Sequence, residues 1–176
     1  RGAVTPDRTP EELDGTISWR ELLAEVTGAL EDVADVERPA QEARWIVEQA
    51  SGMSGAEWVL GQDEPATQRG VAHLDAMVQR RAAGTPIQYV LGSWAFRTLD
   101  LFVDERVLIP RPETEQVVEV ALAELDAVRA GRPAGHRLRV VDLGTGSAAI
   151  ALAIATERPG TEVVAVDRSS DAVAVA

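Results

Sequence analysis

Two glycines and two aspartates in the last third of the chain could build a ligand site. Asp142 ends one apolar stretch, Gly144 and Gly146 follow it closely, and Asp167 ends the next apolar stretch. A glycine-rich turn between a strand and a helix brings the backbone close to a ligand and aims free N–H groups at it. An acid at the end of the next strand can bind ribose hydroxyls. The pattern therefore predicts a site for a nucleotide-type cofactor.

The spacing leaves more than one ligand open. Gly144, Gly146 and Ala149 also fit the dinucleotide fingerprint, and Asp167 lies 21 residues beyond Gly146, so a nicotinamide dehydrogenase using NAD is an alternative. A tight turn with no ligand is another. Asp142 favours a cationic ligand, because a carboxylate repels a diphosphate and attracts an ammonium or a sulfonium. S-adenosylmethionine carries both cations, so the residues favour it over NAD.

The composition restricts the class of partner. Seventeen Lys and Arg against 29 Asp and Glu give a net charge of -12, which disfavours nucleic acid as a ligand. The absence of cysteine excludes disulfides, zinc thiolates and a thiol nucleophile. His73 and His136 are isolated and lack metal-ligand spacing, so we expect them at the surface and no metal site. No apolar run reaches the roughly 18 residues of a membrane span, and the first residues lack a signal-like core, so we expect a cytoplasmic protein with no membrane contact.

The first half of the chain, over residues 18–84, has the apolar spacing of a small helical bundle. Ser18 with Glu21 predicts a capping box, and Ser54 with Glu57 repeats this signal. Further helices are predicted from near Pro39 and over 67–83. Arg80 and Arg81 are interpreted as charges favoured by the dipole at a helix end. Residues 1–17 are expected to be disordered or vector-derived.

The period changes after residue 84. Short apolar runs over 88–91, 94–96, 99–103 and 107–109 predict strands, and we interpret residues 85–110 as a β-hairpin linker. Residues 111–176 then predict an α/β unit of helix, strand, glycine loop, helix, strand and helix. Its first helix, over 113–130, is expected to turn four apolar residues toward a core, namely Val117, Val120, Ala121 and Leu125.

The run Pro110-Arg111-Pro112-Glu113-Thr114-Glu115 is the most specific motif, because no generic fold requires it. Together with Gly84-Thr85-Pro86-Ile87-Gln88-Tyr89-Val90-Leu91-Gly92 and the loop over 142–153, it makes the chain resemble the HemK/PrmC family. Members of this family are N5-glutamine methyltransferases of peptide chain release factors. The resemblance covers all but about the first dozen residues.

This resemblance implies an α/β enzyme with an N-terminal helical bundle that recognises the release factor, a β-hairpin connector and a Rossmann-like methyltransferase domain. The cofactor would be S-adenosylmethionine, and the substrate the glutamine of a Gly-Gly-Gln motif in the release factor. We expect a monomer.

The resemblance also implies roles for individual residues. Asp142 would support the cofactor's amino group or the loop, and Asp167 would bind the ribose hydroxyls. The methionine part would be cradled by the loop residues Gly144, Thr145, Gly146, Ser147 and Ala148. The methyl-donor end would be flanked by Pro110, Arg111, Pro112, Glu113 and Thr114.

Two departures from the family pattern stand out. Ala148 occupies a position where the family commonly has a third glycine, and we expect its methyl group to be tolerated with weakened cofactor affinity. The family's Asn-Pro-Pro-Tyr motif, which holds the substrate amide, does not occur in these 176 residues. We therefore assign no catalytic residue and expect a truncated methyltransferase domain, with weak cofactor binding at most and no turnover. A non-catalytic protein-binding fragment is the alternative from another class.

Overall fold

The computed structural model describes residues 17–176, which form two compact units, the first ending at Leu91 and the second spanning Gly92–Ala176. The fold class is mixed α/β, as predicted. Residues 1–16, where we expect disorder or a vector-derived segment, lie outside the described residues. Ile17 is half-buried, and its carbonyl accepts a hydrogen bond from the Ala66 N–H at 2.8 Å. In the described part, no helix has both the length and the apolar character that crossing a bilayer requires.

Apart from an isolated β-bridge between Ser18 and Pro65, the regular elements in the described residues of the first unit are helices. Ser18 caps the first helix with a complete capping box, as predicted, and the Thr67 side chain caps the fourth. The second predicted box is incomplete, because the Ser54 side chain makes no capping hydrogen bond. The helices are α1 (Trp19–Glu31), α2 (Pro39–Ser51), α3 (Gly55–Gly61), α4 (Gln68–Ala82) and α5 (Ile87–Leu91).

A single apolar core holds these helices together. It is built from residues three and four apart on α1, α2 and α4, with Trp58 from α3, because each amphipathic helix must bury one face. Arg81 also lies inside this unit, at 5% exposure, and its guanidinium pairs with the Glu42 carboxylate at 2.6 Å. Arg80 and Arg81 lie in the last turn of α4, as predicted, and Arg81 in addition forms this buried ion pair, which was not predicted. Its guanidinium also donates to the Asp35 carbonyl at 2.7 Å, which links α4 to the segment before α2.

Two of the strands predicted between residues 85 and 110 do not form. Residues 88–91 belong to the short helix α5, which packs against α2 and α4, and residues 107–109 are irregular. The hairpin itself consists of β1 (Ser93–Phe96) and β2 (Leu99–Phe102), which pair antiparallel with Phe96 opposite Leu99. A four-residue apolar run fits a helix as well as a strand, and the neighbouring helices decide between them.

The rest of the second unit follows the predicted order of elements. After the hairpin come α6 (Pro112–Ala130), β3 (Arg139–Leu143), α7 (Ala149–Glu157), β4 (Glu162–Val166) and α8 (Ser170–Val175). Strands β3 and β4 pair in parallel, with Asp142 opposite Ala165. The connection from β3 through α7 to β4 is thus a βαβ unit.

The buried face of α6 differs from the prediction. Val118 and Leu122 are its buried residues, whereas Val117 is 54% exposed and Val120 is 65% exposed. The two-stranded sheet is likewise open in the described part, with Val141 and Leu143 of β3 and Val164 and Val166 of β4 all exposed. Each strand has one neighbour and one unpaired edge there.

Candidate cofactor-binding site

The glycine loop joins the carboxyl end of β3 to the start of α7, where it lies against the end of β4. The N–H groups of Gly144 and Thr145 donate to the Val166 carbonyl at 2.7 and 3.0 Å. Because β3 and β4 are parallel, their carboxyl ends meet at one edge of the sheet, which is where ligands bind in open α/β sheets. The loop is therefore held at the expected edge.

The backbone of the loop turns through left-handed conformations at three residues. Gly144 has a φ of +79° and Gly146 a φ of +54°, values that glycine adopts without steric cost. Ala148 has a φ of +59° and is 3% exposed. The third position that favours glycine in this loop thus carries a side chain, and the methyl group is buried in the protein. Ala148 therefore imposes conformational strain on the loop backbone. The expected weakening of cofactor affinity stays a prediction.

Both predicted acids bind the loop itself. The Thr145 hydroxyl donates to the Asp142 carboxylate at 2.7 Å. The Gly146 N–H donates to one oxygen of Asp167 at 3.0 Å, and the Ser169 N–H donates to the other at 2.9 Å. These two backbone hydrogen bonds stabilise the charged form and lower the pKa of Asp167 below its ordinary value. The structure thus brings Asp142 and Asp167 into hydrogen bonds with the same short loop.

The expectation that the loop aims free N–H groups at a ligand is wrong for four of its residues. The N–H groups of Gly144, Thr145 and Gly146 are bonded to the end of β4 or to Asp167, and that of Ala148 donates to the Thr145 carbonyl at 2.9 Å. Sequence reasoning missed this because it depends on how the end of β4 meets the loop. Polar loop residues Thr145 and Ser147 are 8% and 6% exposed.

Ser169 also lies at the site, although it is not among the predicted site residues. Its N–H binds Asp167, while its side chain accepts from the Ala172 N–H at 3.3 Å and caps α8. A serine two residues after an aspartate, directly before a helix, is a signal that could have identified it.

The predicted flanking residues lie where α6 begins. Pro110 is buried, Arg111 is the residue before the first turn, and Pro112 is the first helical residue. Glu113 is exposed and Thr114 half-buried, and the Thr114 N–H donates to the Arg111 carbonyl at 2.9 Å. Proline at the first helical position needs no hydrogen-bond partner for its nitrogen, which explains why the helix starts here. The role of these five residues beside a cofactor stays a prediction. His73 and His136 are both exposed, as expected.

The fold and the loop place this chain in a class of proteins, namely α/β proteins with a glycine loop beside two carboxylates. Residues 21–92 match the family described as PrmC N-terminal domain. The chain is 42% identical over 149 residues to a Release factor glutamine methyltransferase of Salmonella typhimurium, covering 84% of this chain and 50% of that protein. The protein of that name from Escherichia coli matches equally, at 42% over 149 residues, with coverages of 84% and 50%.

A third relative, the Release factor glutamine methyltransferase of Xylella fastidiosa, is 47% identical over 114 residues, covering 65% of this chain and 39% of that protein. The resemblance to the HemK/PrmC family is confirmed by these matches. The chain spans about half the length of the first two of these curated relatives.

Proposed function

We propose that this chain is part of a methyltransferase that transfers the methyl group of S-adenosylmethionine to the side-chain amide of a glutamine in a release factor. The substrate glutamine would lie in a Gly-Gly-Gln motif. Residues 18–84 would recognise the release factor, residues 85–110 would connect, and residues 111–176 would form part of a Rossmann-like domain. The names of the relatives support the reaction class, and the charges of the loop support the cofactor.

The cofactor assignment depends on one observation: the loop amides are already hydrogen-bonded within the protein, and the groups beside them that can bind a ligand are carboxylates. The amides of Gly144, Thr145 and Gly146 are bonded within the protein, while Asp142 and Asp167 stand beside them as charged acceptors. A diphosphate would meet negative charge here, whereas an ammonium or sulfonium would be attracted. A carboxylate offers about four lone-pair sites, so each acid retains capacity for a ligand donor. The residues present therefore fit S-adenosylmethionine better than NAD.

Within this proposal each residue has a defined task. Asp142, oriented by the Thr145 hydroxyl, would bind the amino group, and Asp167 would bind the ribose hydroxyls. Gly144 to Ala148 would cradle the methionine part, and Pro110 to Thr114 would flank the methyl-donor end. The cofactor supplies an electrophilic methyl group on its sulfonium. Positioning of the acceptor amide would supply most of the acceleration, and we assign no catalytic residue within this chain.

Calorimetry on the 176-residue chain tests the cofactor assignment. We expect S-adenosylhomocysteine to bind and NAD to give no measurable heat. Asp142→Asn and Asp167→Asn should each weaken binding about tenfold or more, since a hydrogen bond to a charged group contributes about 1.5–3 kcal/mol. Asp100→Asn, at an exposed position of β2, is the matched control and should leave binding unchanged.

Binding of NAD in preference to S-adenosylhomocysteine would replace the methyltransferase proposal with a dehydrogenase. Binding of neither ligand, together with capture of a purified release factor, would favour a non-catalytic binding fragment.

A further inference from the structure

Helix α3 of the first unit turns an apolar face to solvent. Ala56, Val59 and Leu60 lie at positions i, i+3 and i+4, so they share one face of the helix, which we call the α3 face. Val59 is 65% exposed and Leu60 83%, and Ala56 is exposed as well. An amphipathic stripe of this kind ordinarily faces a core. Here it faces outward.

The opposite side of α3 is firmly packed, so the exposure is not a consequence of a poorly anchored helix. Trp58 is 1% exposed and belongs to the core of the first unit. The Arg44 guanidinium lies over the Trp58 ring, 4.2 Å from its centroid, and also pairs with Glu48 at 2.7 Å. A cation over an indole ring is attracted by the ring's quadrupole. The α3 face is thus presented on a fixed element.

The chain segment that carries this face is acidic. The segment 52–65 contains Glu57, Asp63 and Glu64 and has neither lysine nor arginine. All three acids are exposed. Asp63 pairs with Arg20 at 2.6 Å, but both side chains are more than half exposed, which leaves the pair weak. An apolar stripe bordered by carboxylates is complementary to an apolar side chain bordered by lysine or arginine.

We propose that the α3 face is an exosite that binds a basic segment of the protein substrate, with an aliphatic or aromatic side chain of that segment seated on Val59 and Leu60. The identity of the occupant rests on the proposed function. A second copy of this chain is disfavoured as the occupant because the net charge of -12 makes copies repel. An anionic membrane surface is disfavoured for the same reason.

The test measures binding of the full 176-residue chain to a purified bacterial release factor by biolayer interferometry. Leu60→Ser should weaken binding about tenfold, since burying a leucine side chain contributes roughly that factor or more. Glu57→Lys should also weaken it, and added salt should weaken binding of the unsubstituted chain more than that of Glu57→Lys. Val128→Ser is the matched control, because Val128 is an exposed valine of α6, at 46% exposure, and should leave affinity unchanged.

Leu60 is at the surface, so Leu60→Ser should fold, and circular dichroism checks this. Equal affinities of Leu60→Ser and the unsubstituted chain would overturn the exosite, as would failure of the unsubstituted chain to bind. Calorimetry with S-adenosylhomocysteine separates the two proposals. Loss of cofactor binding with a Leu60-dependent interaction would remove the methyltransferase and keep the docking surface. Cofactor binding with a Leu60-independent interaction would do the reverse.

Discussion

Ala148 holds a left-handed backbone conformation that costs an alanine about 1–2 kcal/mol. Replacement by glycine removes this cost. It also increases the conformational entropy of the unfolded chain, which destabilises the fold by about 0.4–1 kcal/mol, and it removes one buried methyl group, which contributes about 0.8 kcal/mol. We therefore expect Ala148→Gly to be nearly neutral. Ala155→Gly, at an exposed right-handed position of the adjoining α7, should lower stability by about 1 kcal/mol. Urea unfolding of both variants compares these values, and equal losses would show that Ala148 is unstrained.

Asp167 makes the order of the loop dependent on pH. Its pKa is lowered in the folded protein, first by the Ser169 N–H and then by the Gly146 N–H. A carboxyl group whose pKa is lowered by folding stabilises the folded protein. This stabilisation is fully present above the pKa that the group has in the unfolded chain, and it is lost as the pH falls through the pKa that the group has in the folded protein. We expect the Gly146 amide resonance to shift only below the ordinary aspartate range, and Asp167→Asn to abolish that step. A step at or above the ordinary aspartate pKa would contradict this assignment.

The placement of the glycines and acids around the loop could be predicted from sequence, because glycines and acids at strand ends form a local pattern. Asp142, Gly144, Gly146 and Asp167 were identified in this way. The hydrogen bonds of the Gly144 and Thr145 amides could not, since they depend on the Val166 carbonyl, which comes from a strand further along the chain. Ser169 differs in this respect, because its place two residues after an aspartate and directly before a helix is a local signal.

At the scale of elements, Arg97 fastens the hairpin to two helices. It is the first residue of the two-residue turn between β1 and β2, with a φ of +55°, and its side chain is 14% exposed. The guanidinium pairs with Glu119 of α6 at 2.6 Å and with Glu157 of α7 at 2.8 Å. Its N–H also donates to Glu115 at 3.0 Å. A sequence offers no sign that an arginine in a turn will do this.

Arg97→Ala should therefore lower the free energy of unfolding by more than the loss of an exposed pair and by less than the loss of a fully buried one, because Glu119 is 65% exposed. The control is Arg20→Ala, which breaks the exposed pair with Asp63 and should change the free energy of unfolding little. Thermal unfolding measures both. A cost for Arg97→Ala no larger than that for Arg20→Ala would show that the hairpin is held by apolar packing alone.

Helix α4 approaches α1 closely at Gly70. A Cβ built there would lie 2.6 Å from the Trp19 ring, which is itself buried, so Gly70→Ala forces the indole to move. We expect a loss of about 1–3 kcal/mol from overpacking. Gly28→Ala is the matched change in α1, where nothing lies within 4 Å of the new Cβ, and helix propensity should raise stability by about 1 kcal/mol. Opposite signs in chemical denaturation are the expected result, and a stabilising Gly70→Ala would refute the close packing.

The types of most elements could be predicted from periodicity, whereas the buried faces of some could not. On α1, the residues spaced three and four apart are the buried ones. On α6, apolar residues occur around much of the helix, and the predicted burial of Val117 is wrong, because Val118 is the buried one. The apolar run of α5 was ambiguous in the same way. Packing partners made these choices, and they are not adjacent in sequence.

At the scale of the whole molecule, the first unit has a complete core of its own. Every residue of its core cluster lies between Ile17 and Leu91. We therefore expect a polypeptide of residues 17–91 to fold cooperatively, with the modest stability of about 3–5 kcal/mol typical of a single small core. Urea unfolding followed by circular dichroism measures this, and Gly70→Ala in the shortened chain should lower its midpoint. A gradual transition without a baseline would show that the unit needs the remainder of the chain.

The net charge of the chain affects whether the open β3–β4 sheet associates with other molecules. In the part of the chain that the structure describes, exposed valines and a leucine lie on strands that each have one unpaired edge, and such edges are templates for pairing with another chain. With a net charge of -12, mutual repulsion keeps such edges apart. The isoelectric point is about 4.6. Near that pH the repulsion between molecules vanishes, so we expect the protonation of its carboxylates to set the pH at which this chain begins to aggregate.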